Sequence, residues 1–209
     1  NYLSFIPTAP TELSTMFDLV VSASSIYGGS WKEGAGAVYA ENQVLSFLAS
    51  ECGLPKGSGG LFVQGGTLGN LSALVTAREK AKVKLGKQRW AIICSSEAHS
   101  SIKSVAKVMD CDVVIAQAGE SGSLGKAAAE AAVKEAKAQG LTPFAIVGTA
   151  GTTNFGIVDD LQGISEVAKA HDLWFHVDGA YGLAGLCAPS VRALFIGVEL
   201  CDSFIVDPH

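Results

Sequence analysis

Leu173-Trp174-Phe175-His176-Val177-Asp178-Gly179-Ala180-Tyr181-Gly182 is the stretch on which the reading of this chain turns. A short run of bulky, mostly apolar residues from Leu173 to Val177 predicts a strand with little exposed surface. The run passes directly into an aspartate. A carboxylate at the buried end of a strand is costly unless it meets a cation. Side chains alternate along a strand, so His176 and Asp178 share a side. A metal pair is a second reading of these two residues, but no third or fourth ligand stands at metal spacing.

The same punctuation recurs outward from this stretch. Strands are predicted at 61–63, 90–94, 112–116, 144–148 and 203–206. Helices are predicted near 11–25, 38–51, 68–85, 99–108, 124–139, 161–170 and 191–195. The 124–139 segment is alanine-rich and ends at Gly140, a residue suited to the position after a helix. Short apolar strands alternating with helices imply an α/β domain, with a mainly parallel sheet and helices on both faces. Ligands bind such sheets at the carboxyl ends of the strands. We expect residues 1–37 to form an N-terminal arm and 38–209 to form the ligand-binding domain.

Composition excludes several classes. With 48% hydrophobic and 17% charged residues, the 209-residue chain can bury a core and is not disordered. A net charge of −5 without any Lys/Arg-rich run argues against a nucleic-acid partner. No apolar run reaches the roughly 18 residues of a membrane span, and no signal peptide is evident. None of the five cysteines shows CxxC spacing. Cys94, Cys111 and Cys187 lie in or beside apolar stretches, so buried free thiols in a reducing cytoplasm are expected. The start at Asn1, in mid-pattern, and the stop after Asp207-Pro208-His209 suggest a chain cut at both ends.

Four further segments carry chemistry. Gln64-Gly65-Gly66-Thr67-Leu68-Gly69-Asn70 joins a strand to a helix. Its glycines admit a close ligand, the free N–H groups of the helix start favour an anion such as phosphate, and Thr67 is a candidate N-cap. An ordinary capped turn is the plainer reading. Ser95-Ser96-Glu97-Ala98-His99-Ser100-Ser101 places an imidazole at the mouth of the sheet, where it is structural, stacks on a planar ring, or moves protons. Gly148 to Gly156 is a polar loop with three threonines, followed by Asp159-Asp160, either of which could cap the next helix. Asp202 to His209 is a strand leading into a polar turn.

Taken together, Gly-Gly-Thr-x-x-Asn at 65–70, Glu-Ala-His-Ser-Ser at 97–101, Gly-Thr-Thr at 151–153, His-Val-Asp-x-Ala-Tyr-Gly at 176–182 and Asp-Ser-x-x-x-Asp-Pro-His at 202–209 resemble the group II pyridoxal-phosphate-dependent amino-acid decarboxylases, the family of the aromatic-amino-acid and glutamate decarboxylases. The resemblance spans nearly the whole chain. It implies the large domain of the fold type I, aminotransferase-like architecture, with pyridoxal 5'-phosphate as cofactor, an amino-acid substrate and a homodimer with a shared active site.

The resemblance also implies roles. Gly66 and Thr67 would bind the phosphate, helped by Ser203 and His209, with Asp207 nearby where asparagine is common. His99 would stack on the pyridine ring and assist protonation, and Ala180 would pack on the opposite ring face. Thr152 would lie beside the cofactor, and Asp178 would bind the ring nitrogen. Pro7 and Thr8 fall in a segment like the family's substrate loop. The lysine that carries the cofactor is expected just after His209. Gly179 stands where alanine is usual. The expected reaction releases CO₂ and an amine. Another lyase or aldehyde-forming oxidative deamination on the same cofactor, or an inactive cofactor-binding domain, are the alternatives.

Overall fold

The computed structural model describes residues 10–208, which form two compact units, 10–62 and 63–208. Pro7, Thr8 and His209 lie outside the described residues.

The first unit holds helix α1 (Glu12–Ser24) and helix α2 (Ala35–Glu51). Thr11 caps α1, its Oγ1 accepting the Ser14 N–H at 3.2 Å. Neither helix buries a residue fully, and Leu13, Met16, Phe17 and Val20 of α1 stand exposed. The strand expected at 61–63 is absent; these residues are extended but join no ladder. The Phe62 N–H donates to the Glu41 carboxylate at 2.6 Å instead. Three apolar residues are too few for periodicity to separate a strand from a linker.

The second unit opens with α3 (Gly66–Leu85). It continues through β1 (Trp90–Ser95), α4 (Ser101–Val108), β2 (Asp112–Ala116), α5 (Lys126–Ala138), β3 (Thr142–Thr149), α6 (Leu161–Ala170), β4 (Trp174–Asp178) and β5 (Ser203–Ile205). All strand pairings are parallel, in the order β2-β1-β3-β4-β5. The chain steps outward from β1 to β2, then crosses back to β3. That reversal opens a crevice at the carboxyl ends of β1 and β3.

Strand alternation sorts the core. Trp90, Ile92 and Cys94 of β1 pack with Leu74 and Ala77 of α3 and Ile102 and Val105 of α4. On the other face, a Cβ on Gly148 would meet Leu161 and Ile164 of α6 at 3.1 and 3.3 Å. Helices therefore cover both faces of a parallel sheet, as the alternating pattern predicts. In α5 the buried residues Ala129, Ala132, Val133 and Ala136 form one stripe at helical spacing.

Differences from the expected elements are local. Helix α4 starts at Ser101, which leaves His99 in the preceding turn. Short 3₁₀ turns at Leu183–Cys187 and Val198–Leu200 were not anticipated, since one turn carries no 3.6-residue pattern. Cys94 is buried and Cys111 partly so, but Cys187 is exposed at the end of a 3₁₀ turn, contrary to expectation.

Leu74 is fully buried between α4 and the sheet, whereas Val83 on the same helix is 89% exposed. Leu74→Ala should cost about 2–5 kcal/mol in denaturant unfolding and Val83→Ala less than about 0.5. Equal losses would contradict this packing.

Candidate functional site

Strand β4 delivers Asp178 to the carboxyl edge of the sheet. Alternation sends Trp174, His176 and Asp178 toward α3 and sends Phe175 and Val177 toward α6. Asp178 is only 5% exposed. Its Oδ2 accepts from Asn70 Nδ2 at 3.0 Å, and its Oδ1 accepts the Ala180 N–H at 3.3 Å. No ion pair among the described residues includes Asp178. A buried carboxylate held only by neutral donors is an incomplete arrangement, and a cation completes it.

Behind Asp178 lies a continuous polar line. Asn70 Nδ2 also donates to Ser101 Oγ at 3.1 Å, and Asn70 Oδ1 lies 2.8 Å from His176 Nε2. His176 Nδ1 lies 2.8 Å from Ser203 Oγ, which accepts from Trp174 Nε1 at 2.7 Å. Burial drives the His176 pKa down to about 4, against the opposing pull of the Asp178 charge. The ring is therefore neutral near pH 7.

His99 and Ser101 follow β1. The His99 ring is exposed, and its Nδ1 accepts the Ser101 N–H at 3.2 Å. Gly65, not Thr67, is the N-cap of α3; its φ of +86° suits glycine, and Thr67 sits in the exposed first turn. The N–H groups of Gly66 and Thr67 head the helix, where no intrahelical acceptor is possible. A Cβ at Gly66 would sit 3.2 Å from Asp207 Oδ1 and 3.4 Å from the Ala180 Cβ, so Gly66, Ala180 and Asp207 converge.

Two of the expected cofactor contacts have partners within the protein. Ser203 pairs in register with His176, one strand step below Asp178. Its hydroxyl contacts Trp174 Nε1 and His176 Nδ1. Thr152 is buried in the loop after β3, and its Oγ1 accepts the Ile157 N–H at 3.1 Å. That loop is pinned by Asp159, whose oxygens accept the N–H groups of Leu124 and Thr149 at 2.7 Å each. Burial pushes the Asp159 carboxyl up to about 6, and these bonds oppose the shift. Asp160 caps α6 by accepting the Gly163 N–H, so the capping reading of this acidic pair also holds. Burial raises the Cys94 thiol to about 12, which removes it as a nucleophile.

The metal reading of His176 and Asp178 fails on geometry, because both imidazole nitrogens already have protein partners. No group of three potential ligands occurs among the described residues. Gly179 is fixed by packing, since a Cβ there would lie 2.3 Å from that of Leu183. Sequence reasoning assigned no role to Asn70 or Ser101, although both stand inside the quoted motifs.

Residues 2–209 match the family described as the pyridoxal-dependent decarboxylase conserved domain. The chain belongs to that family. It is 30% identical to an aromatic-L-amino-acid decarboxylase of Bacillus atrophaeus, covering all of this chain and 44% of that protein. It is 33% identical to an L-2,4-diaminobutyrate decarboxylase of Rhizobium meliloti (strain 1021), covering 92% of this chain and 39% of that protein. The solved glutamate decarboxylase domain of the diaminobutyrate-pyruvate transaminase and L-2,4-diaminobutyrate decarboxylase from Vibrio parahaemolyticus superposes with a TM-score of 0.90 at 32% identity. That superposition covers 97% of this chain and 47% of that one. The chain spans about half the length of the curated relatives it matches.

The family's pyridoxal cofactor fits these residues. The helix start at Gly66 and Thr67 suits a phosphate, and the buried Asp178 carboxylate suits a protonated ring nitrogen.

The neutral His176 has a consequence for stability. Its folded pKa of about 4 lies below the ordinary 6.5, so the unfolded chain takes up a proton first on acidification. Stability contributed by the neutral ring is complete above about pH 6.5 and is lost as the pH falls toward about 4. Over that window wild type should lose denaturant stability relative to His176→Gln. Asp159 is common to both proteins and cancels in the comparison. A pH-independent difference would contradict a buried neutral imidazole.

Proposed function

We propose that the protein carrying this chain decarboxylates an L-amino acid with pyridoxal phosphate, releasing CO₂ and the corresponding amine. The observation that carries the proposal is the buried Asp178 carboxylate at the end of β4, without a counter-charge among the described residues. Bound pyridoxal phosphate supplies the electron sink for the pair left when CO₂ departs. Asp178 holds a proton at the ring nitrogen, a pre-placed anion opposite the charge the reaction draws inward. Gly66 and Thr67 would offer N–H groups to the phosphate, with Asp207 near it, and by resemblance His209 is assigned to the phosphate as well. His99 and Ala180 would hold the ring between them, and Thr152 would lie in the loop beside it. By resemblance to the family's substrate loop, the proposal assigns substrate contact to Pro7 and Thr8.

The proposal includes a homodimer in the cytoplasm. The exposed apolar side chains of α1 support association, because contiguous apolar surface of this kind marks interfaces. Five cysteines without a disulfide are consistent with a reducing compartment. No helix among the described residues is long and apolar enough to cross a membrane.

Asp178→Ala should lower CO₂ release from the preferred amino acid by about 10²–10³-fold, the scale for loss of one preorganised electrostatic group. Some cofactor should remain bound through the phosphate. CO₂, amine and ammonia are to be measured together across a panel of amino acids. Near-normal turnover, or ammonia in place of amine, would overturn the proposal.

A further inference from the structure

We infer that Asn70 and His176 are positioning residues for Asp178, which fix its carboxylate as an acceptor toward the cofactor ring through a one-way hydrogen-bond chain beginning at Trp174. The inference rests on the reading of Asp178 as the ring-nitrogen partner. It concerns residues that touch Asp178 or each other, not the reacting atoms.

The direction of the chain follows from donor and acceptor inventory. An indole N–H can only donate, so Ser203 Oγ accepts from Trp174 Nε1 at 2.7 Å. The single Ser203 hydroxyl hydrogen is then free to point at His176 Nδ1, 2.8 Å away. A neutral imidazole that accepts at Nδ1 carries its hydrogen at Nε2. That hydrogen meets Asn70 Oδ1 at 2.8 Å. With its oxygen committed, the Asn70 amide turns both Nδ2 hydrogens outward, one to Ser101 Oγ at 3.1 Å and one to Asp178 Oδ2 at 3.0 Å. Asp178 Oδ1 faces the Ala180 N–H at 3.3 Å. Both carboxylate oxygens thus face donors, and each keeps a second lone pair for a further one.

The line runs without a break from Trp174 to Asp178. Asn70 and His176 are 1% and 0% exposed, so water does not compete for these bonds and the low local dielectric strengthens them. The line draws on three elements: α3 supplies Asn70, β4 supplies Trp174, His176 and Asp178, and β5 supplies Ser203. The Ser101 branch reaches further, because the Ser101 N–H also fixes Nδ1 of His99. Asn70 therefore ties the carboxylate to the segment that orients His99. A purely structural network would stabilise the fold without affecting how Asp178 meets a ring nitrogen.

The test uses the full-length protein and two probes, pyridoxal phosphate and its analogue with the ring nitrogen replaced by C–H. Wild type should bind pyridoxal phosphate more tightly. Asn70→Ala and His176→Leu should each reduce that preference by about tenfold, equivalent to about 1.4 kcal/mol. His176→Gln should restore most of it, since its amide can donate to Asn70 Oδ1. Equal preference in wild type and Asn70→Ala would overturn the inference while leaving the Asp178 reading intact. Absence of preference in wild type would overturn that reading and the inference with it. A second readout needs no variant to fold. Nitrogen-15 spectra of wild type without cofactor should show His176 as the neutral Nε2–H tautomer from about pH 8 to about pH 5. An Nδ1–H tautomer or a protonated ring in that range would overturn the inference.

Discussion

Burying the Asp178 carboxylate without a counter-charge among the described residues is the constraint from which the rest of this site follows. Asp178 reaches its position because β4 is short, parallel and covered on both faces, so the strand's last residue is still inside. An ion there is tolerable only when donors surround it and a cation completes the set. The described residues provide the donors, Asn70 and the Ala180 N–H. The cofactor of this family provides a ring nitrogen able to carry the charge. On the proposed reading, protein and cofactor are electrostatic complements at Asp178.

Close approach of backbone segments makes that geometry possible. Helix α3 must come near enough to β4 for an amide as short as that of Asn70 to reach both His176 and Asp178. Gly69 permits this, since a Cβ there would lie 2.8 Å from Ile205 Cγ2 on β5. Gly151, at φ +99°, lets the loop after β3 lie against Gly182, whose Cα would be 2.7 Å from an added Cβ. The loops after β3 and β4 therefore touch through glycine at the carboxyl edge of the sheet. Gly69, Gly151 and Gly182 thus stand where segments meet around the site.

Much of this was legible in the sequence because it rested on local pattern. The limits of β2 and α6 follow from apolar runs bounded by turn residues, and the parallel sheet follows from the strand–helix alternation. Asp178 announced itself as a charge directly after an apolar run. What could not be read depended on register between distant strands. The motif ending at Asp207-Pro208-His209 does not reveal that pairing of β5 with β4 sets Ser203 beside His176. The role of His176 was hidden for the same reason, since its partners come from 27 residues downstream and 106 residues upstream. The hydroxyl of Thr67 favours it as a cap on sequence alone, but the backbone freedom of Gly65 starts the helix two residues earlier.

The central claim is that Asp178 meets a protonated ring nitrogen. Nitrogen-15 spectroscopy of full-length protein loaded with pyridoxal phosphate labelled at that nitrogen tests it most directly. The account predicts a pyridinium signal in wild type near neutral pH and an unprotonated pyridine signal in Asp178→Ala. An unprotonated nitrogen in wild type, or a pyridinium that survives the substitution unchanged, would contradict it.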